Sequence, residues 1–102
     1  MIQVVASIEV KDDSWPDFLE IFRGNIPNVL AEKGCHQYDG TVDHPMDLPP
    51  QDLCECRLTV IECWESEQHL RDHLVAPHMA TYREKVKDMV KGVSLRVLKP
   101  IT

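Results

Sequence analysis

Residues 2–10, IQVVASIEV, alternate along their whole length. Ile2, Val4, Ala6, Ile8 and Val10 fall on one side, and Gln3, Val5, Ser7 and Glu9 on the other. An extended chain points successive side chains to opposite faces, so this period of two predicts a first strand with one strongly apolar face. Such a face must be covered, and the next stretch supplies the cover. After a polar turn at Lys11–Asp13, Trp15, Phe18, Leu19, Phe22, Ile26, Val29 and Leu30 recur at helical spacing. Ser14 stands where a cap belongs, with Asp17 three residues on. Pro27 lacks an N–H and crowds the preceding turn, which predicts a kink or short break. Gly34 suits the helix terminus.

The pattern then returns to strands. Cys35–Val42 reads as the second, and Pro45, Pro49 and Pro50 exclude a central strand just after it. The segment 43–52 is therefore expected to be a long loop, of the kind that serves as a lid or interface arm. Leu53–Trp64 reads as a long third strand, with Cys54, Cys56, Leu58, Val60, Glu62 and Trp64 sharing one face. Glu62 thus belongs to an apolar face. Ser66 opens a short helix, with Glu67 favourable in its first turn. Pro77 fits the first position of another helix, buried along Met79, Tyr82, Val86, Met89 and Val90 and ended by Gly92. Val93, Leu95 and Val97 mark a last strand. The order predicts an α+β fold over residues 1–102 as one domain: βαββαβ, an antiparallel sheet with helices on one face. Val5, Ile61 and Leu98 fall on the other sheet face, and burying them against a second copy predicts a homodimer.

Composition narrows the function classes. The chain has 102 residues and a formal net charge of −6. Phosphate backbones and anionic membrane surfaces would repel it, so neither nucleic acid nor membrane is an expected partner. No apolar run is long enough to cross a bilayer, and the start lacks the basic and apolar regions of a signal peptide. A cytoplasmic protein is expected. There the four cysteines, Cys35, Cys54, Cys56 and Cys63, would stay reduced, and no CxxC or zinc-type spacing joins them. Glycine-rich nucleotide loops are absent.

The segment Glu62–Tyr82, ECWESEQHLRDHLVAPHMATY, holds three histidines, a tryptophan and a tyrosine. His73 and His78 flank Pro77, while Glu62 and Trp64 end the preceding strand. Local geometry would bring all four to one end of the helix–sheet cleft. A histidine near its ordinary pKa accepts a proton at neutral pH. A carboxyl buried on an apolar face is either held protonated or orients a histidine. Trp64 and Tyr82 offer flat faces to an aromatic ligand. The same inventory also fits packing: His73 bonded to a carbonyl, His78 supporting a helix N-terminus, Trp64 in the core. The spacing of His73 and His78 is not that of a helical zinc pair, and no acidic residue follows His69 as in HExxH. No metal is expected.

The run IECWESEQHLRDHLVAPHMATYREKVKD, with its Glu-x-Trp and its Leu, His and Pro-His, resembles the signature of the antibiotic biosynthesis monooxygenase superfamily. NIPNVLAEKGCHQYDGTVD and VSLRVLKPIT resemble its first-helix exit, second strand and last strand. Within it, the bacterial quinol monooxygenases are most similar. The resemblance covers essentially the whole chain. It implies a ferredoxin-like dimeric α+β barrel and oxidation of a quinol or related phenolic small molecule by O₂ without a cofactor. It carries Glu62, Trp64, His73, His78 and Tyr38 into the site.

On that basis His73 is expected to be the base, oriented by Glu62, with His78 stabilising the anion and Trp64 and Tyr38 walling the cavity. The haem-degrading branch is disfavoured, because Ser7 stands at the expected asparagine and no histidine lies between Met79 and Gly92. Two alternatives stay open. One is a non-catalytic small-ligand-binding dimeric module. The other is an isomerase of a phosphorylated sugar signal, which would draw on Arg23, Arg71 and Arg83.

Overall fold

The computed structural model describes residues 1–102. Strand β1 runs Ile2–Val10, helix α1 Trp15–Leu30, β2 Cys35–Thr41, β3 Arg57–Trp64, α2 Glu67–Leu74, α3 Pro77–Val86 and β4 Val90–Leu98, and a 3₁₀ turn at Asp12–Ser14 leads into α1. The four strands form one sheet in the order β2-β3-β1-β4. Every neighbouring pair is antiparallel. This is the ferredoxin-like βαββαβ arrangement, with the long helices on one face. The period-two reading of β1 holds: Val4, Ala6, Ile8 and Val10 are buried.

The register sets the site. Val4 lies opposite Glu62 and Ala6 opposite Val60. Tyr38 flanks Glu62 from the other side, so one carboxylate sits mid-sheet among apolar neighbours. Above it, Phe18 and Phe22 of α1 meet Tyr82 of α3 edge-on, at ring-centroid distances of 6.5 and 6.2 Å. Phe22 also stacks on Tyr38 at 5.8 Å. Each such buried ring contributes about 1.5–3 kcal/mol by leaving water. This aromatic layer fixes α1 and α3 over β2 and β3.

Several local expectations are corrected. Pro27 lies within a continuous α1, without a break. The Ser14 hydroxyl caps nothing and reaches Asp13 instead, at 3.4 Å. β3 begins at Arg57 rather than Leu53, because Cys56 adopts φ 55° and turns the chain there. α3 stops at Val86, so Met89 lies in a turn and Val90 in β4; Gly92 pairs with Glu9 as a strand residue. Gly34 does take the left-handed conformation after α1, with φ 84°.

The segment between β2 and β3 is tied down by Arg57, whose guanidinium donates to Asp43 at 2.7 Å and to Asp52 at 3.1 Å. Val5, Ile61 and Leu98 are only half-buried on the outer sheet face. On edge strand β4, Val93, Leu95 and Val97 are exposed as well, although the register places them on the helix side beside Ile8, Ala6 and Val4. The helices stop short of this strand.

Candidate active site

A cavity of about 430 Å³ opens between the helices and the sheet, within the size range of small-molecule sites. Its wall includes Ala6, Val60 and Leu95 from the sheet and Met79 and Val86 from α3. Four of the residues singled out from the sequence reach it: Tyr38, Glu62, His73 and Tyr82. Two do not. Trp64 is completely buried and lies behind the wall. His78 faces a separate groove of about 440 Å³ between α1 and α3, where Asn25, Asn28 and Lys85 are its neighbours.

His73 occupies the last turn of α2 and points inward with Leu70, three residues before it on the same face. It is 2% exposed. Its ring packs on Trp64 at a centroid distance of 4.5 Å and meets Tyr38 edge-on at 5.7 Å. Nδ1 lies 2.7 Å from Oε2 of Glu32. That carboxylate accepts the Nδ1 proton, which leaves Nε2 as the ring nitrogen free to act as a base. Burial pushes the His73 pKa below its ordinary value, and the Glu32 hydrogen bond and charge oppose that shift.

Glu32 is the residue that the sequence reading missed. It, and not Glu62, is the carboxylate that hydrogen-bonds His73. It sits in the short connection between α1 and β2, and its backbone is held at both ends: its N–H donates to the Val29 carbonyl at 3.0 Å and its carbonyl accepts from Cys35 at 3.2 Å. Two residues on, the Gly34 carbonyl accepts from Glu65, tying this turn to the β3–α2 corner. The same Oε2 approaches Nε2 of His78 at 3.2 Å, but too obliquely for a hydrogen bond, and Nε2 has no other partner. His78 Nδ1 lies 3.2 Å from the Asn25 side-chain oxygen. One carboxylate thus hydrogen-bonds His73 and lies close beside His78, which faces a different hollow. A glutamate in a polar turn, 41 residues away from its histidine, gives no local signal.

Glu62 has a different partner. Its Oε1 accepts the Trp64 indole N–H at 2.9 Å. Burial raises its pKa and this hydrogen bond counteracts the rise, with nearby Glu32 pushing upward again. Burial also raises the phenol of Tyr38, followed by the Glu62 charge, and pushes Tyr82 up to about 12. Both tyrosines are therefore neutral hydroxyls at physiological pH. The wall combines one imidazole with a free nitrogen, one buried carboxyl whose pKa is raised and two phenolic hydroxyls, amid apolar side chains.

A family model described as antibiotic biosynthesis monooxygenase matches residues 1–85. The chain belongs to the antibiotic biosynthesis monooxygenase family. It is 36% identical over 102 residues, covering 98% of each chain, to the probable quinol monooxygenase YgiN of Escherichia coli, and equally to that of Shigella flexneri. Solved structures share this fold. Rv0793 of Mycobacterium tuberculosis matches with a TM-score of 0.82 at 24% identity, covering 99% of this chain and 95% of that one. A conserved protein from Methanosarcina mazei matches with a TM-score of 0.80 at 23% identity, over 96% and 90%. Among the arginines that a sugar-phosphate isomerase would need, only Arg83 lines the cavity. Arg71 is engaged with Glu67 on the outside of α2 at 2.7 Å.

Proposed function

We propose that this protein oxidises a quinol or related phenolic small molecule with O₂, and that His73 is the base that starts the reaction. The observation that carries the reading is the buried His73 imidazole on the cavity wall, with Nδ1 taken by Glu32 and Nε2 free. Ground-state O₂ reacts slowly with neutral closed-shell organics, whereas a quinolate gives up electrons readily. Proton transfer from the substrate hydroxyl to Nε2 supplies that quinolate. General-base catalysis of this kind contributes typically about 10²–10⁴-fold. Glu32 fixes the tautomer and stabilises the imidazolium that forms, the role an acid plays behind a catalytic histidine. Glu62, Tyr38 and Tyr82 offer polar contacts to the ring oxygens, and the apolar wall excludes water and strengthens those contacts.

Two electrons and two protons then pass from the quinol to O₂, leaving quinone and hydrogen peroxide. A phenol with a free para carbon instead takes one oxygen atom and yields quinone and water. His78, outside the cavity, acts on the site through Glu32. Trp64 acts by holding Glu62 and backing the His73 ring. The half-buried Val5, Ile61 and Leu98 on the outer sheet face support assembly as a homodimer. Four free thiols suit a reducing cytoplasm.

Oxygen uptake with a reduced naphthoquinol tests the reading. Uptake faster than the protein-free autoxidation supports it; uptake at the control rate for every quinol and phenol tried favours ligand binding without turnover.

A further inference from the structure

We propose that the substrate carries an anionic group, a carboxylate, sulfonate or phosphate, on its aromatic body, and that Arg83, Lys87 and Lys91 seat that group at the cavity mouth. The inference rests on the quinol reading of the cavity and names its substrate class. The cavity wall sorts by burial and charge. Its buried polar groups include His73, Glu62 and Tyr38. Its exposed charged groups are three cations, Arg83, Lys87 and Lys91, of which Arg83 lies nearest His73 through its contact to the Leu74 carbonyl. Glu62 is the sole carboxylate on the wall, and it is buried. The chain as a whole carries 17 acidic against 11 basic side chains, so this mouth inverts the charge of the rest of the protein.

The three cations converge from two elements. Arg83 and Lys87 lie four residues apart, one helical turn, at the end of α3. Lys91 follows at the start of β4. Cations in a last helical turn complement the helix dipole, which accounts for the first two but not for a lysine on a strand. Arg83 is held in place by the Leu74 carbonyl at the end of α2 and has no carboxylate partner. Lys91 forms no ion pair. Lys87 meets Glu84 at 2.7 Å, but both side chains are exposed, and such a pair is weak and readily exchanged. A ligand entering hydroxyl-first would place its reacting end against His73 Nε2 and leave a substituent at these three charges. The volume of about 430 Å³ accommodates a fused aromatic body of this kind.

Binding of the oxidised compounds separates this proposal from the reaction. Titration calorimetry would compare 1,4-naphthoquinone-2-sulfonate and its 2-carboxylate with uncharged 2-methyl-1,4-naphthoquinone, at low and high salt. Both anions should bind roughly tenfold more tightly than the methyl compound at low salt, a preference of the size that a few exposed ion pairs supply. The preference should shrink as salt screens it. It should also shrink in the double variant K87Q/K91Q, which retains Arg83 and its contact to α2. Equal affinity for charged and uncharged quinones, or a preference undiminished in the double variant, overturns the proposal. Oxygen uptake with the reduced compounds then judges the reaction separately. Anion-selective binding without turnover removes the quinol-oxidation reading and leaves the anion seat. Turnover of the neutral quinol with no charge preference removes the anion seat and leaves the reaction.

Discussion

His73 and Glu32 meet through a 2.7 Å contact between Nδ1 and Oε2. They come from elements far apart in the chain, and the histidine is almost completely buried. A hydrogen bond of this kind sets both the ring's orientation and which nitrogen remains free. If it serves catalysis, removing the charge without removing the shape changes more than stability. In Glu32→Gln, the contribution that holds the His73 pKa up is lost. The pKa therefore falls further, and the acid limb of kcat/KM moves to lower pH. The rate at the plateau drops by up to about 100-fold, because a slightly misplaced base reacts poorly. A steady-state pH profile checks both. A rate loss with an unmoved limb indicates a merely structural carboxylate.

Trp64 is expected to matter through Glu62 rather than through substrate. Trp64→Phe keeps a ring behind His73 but deletes the indole N–H that Glu62 accepts. A buried acceptor left without its donor costs about 1–3 kcal/mol. Urea denaturation should show a loss of that size, with KM changed less than stability. A large rise in KM with intact stability would return Trp64 to the cavity wall.

Gly34 positions the turn that carries Glu32. Its φ of 84° suits glycine, and a Cβ there would lie 2.4 Å from the His69 ring. Gly34→Ala should therefore lower stability by about 1–3 kcal/mol. It should lower activity in parallel with Glu32→Gln, since the connection must shift. Thermal unfolding and oxygen uptake measured together test this. An unchanged melting temperature contradicts the placement of His69 against this turn.

Glu62 predicts a pH dependence of stability. Its folded pKa is raised above the unfolded value, chiefly by burial. The folded state therefore holds its proton more tightly. That contribution is complete below the unfolded pKa and is lost as pH rises through the folded one. Glu62→Gln has no such loss. The variant should gain stability relative to the parent between pH 4 and pH 8, as read by denaturant titration at each pH. A constant difference across that range means that Glu62 titrates normally.

Much of the fold was written in two periodicities, and the site in rather less. β1, α1 and the face of β3 follow from alternation and helical spacing alone, because one face of each must be buried. Boundaries failed where apolar residues ran on past a turn: Met89 and Val90 continue the helical stripe of α3, yet the chain has already left it. Strand alternation put Glu62 and Trp64 on the same face correctly. It carries no information about depth, so Trp64 appeared as a cavity wall when it lies behind one. Glu32 was invisible because nothing in a polar turn says which distant side chain it will meet. Lys87 and Lys91 were hidden for the same reason: α3 and β4 bring them to the cavity beside Arg83 only once the sheet has formed.

The base assignment itself is tested most directly by the pH dependence of kcat/KM for a neutral naphthoquinol, with autoxidation subtracted, in the parent and in His73→Gln. Because burial holds the His73 pKa below its ordinary value, the neutral, proton-accepting form persists through the pH at which a free imidazole titrates. The parent rate should stay level through about pH 6.5 and fall only below it. His73→Gln should be slower by about 10²–10⁴-fold and should lose that limb. A His73→Gln protein that folds, turns over quinol at the parent rate and keeps the same acid limb would show that the proton goes elsewhere.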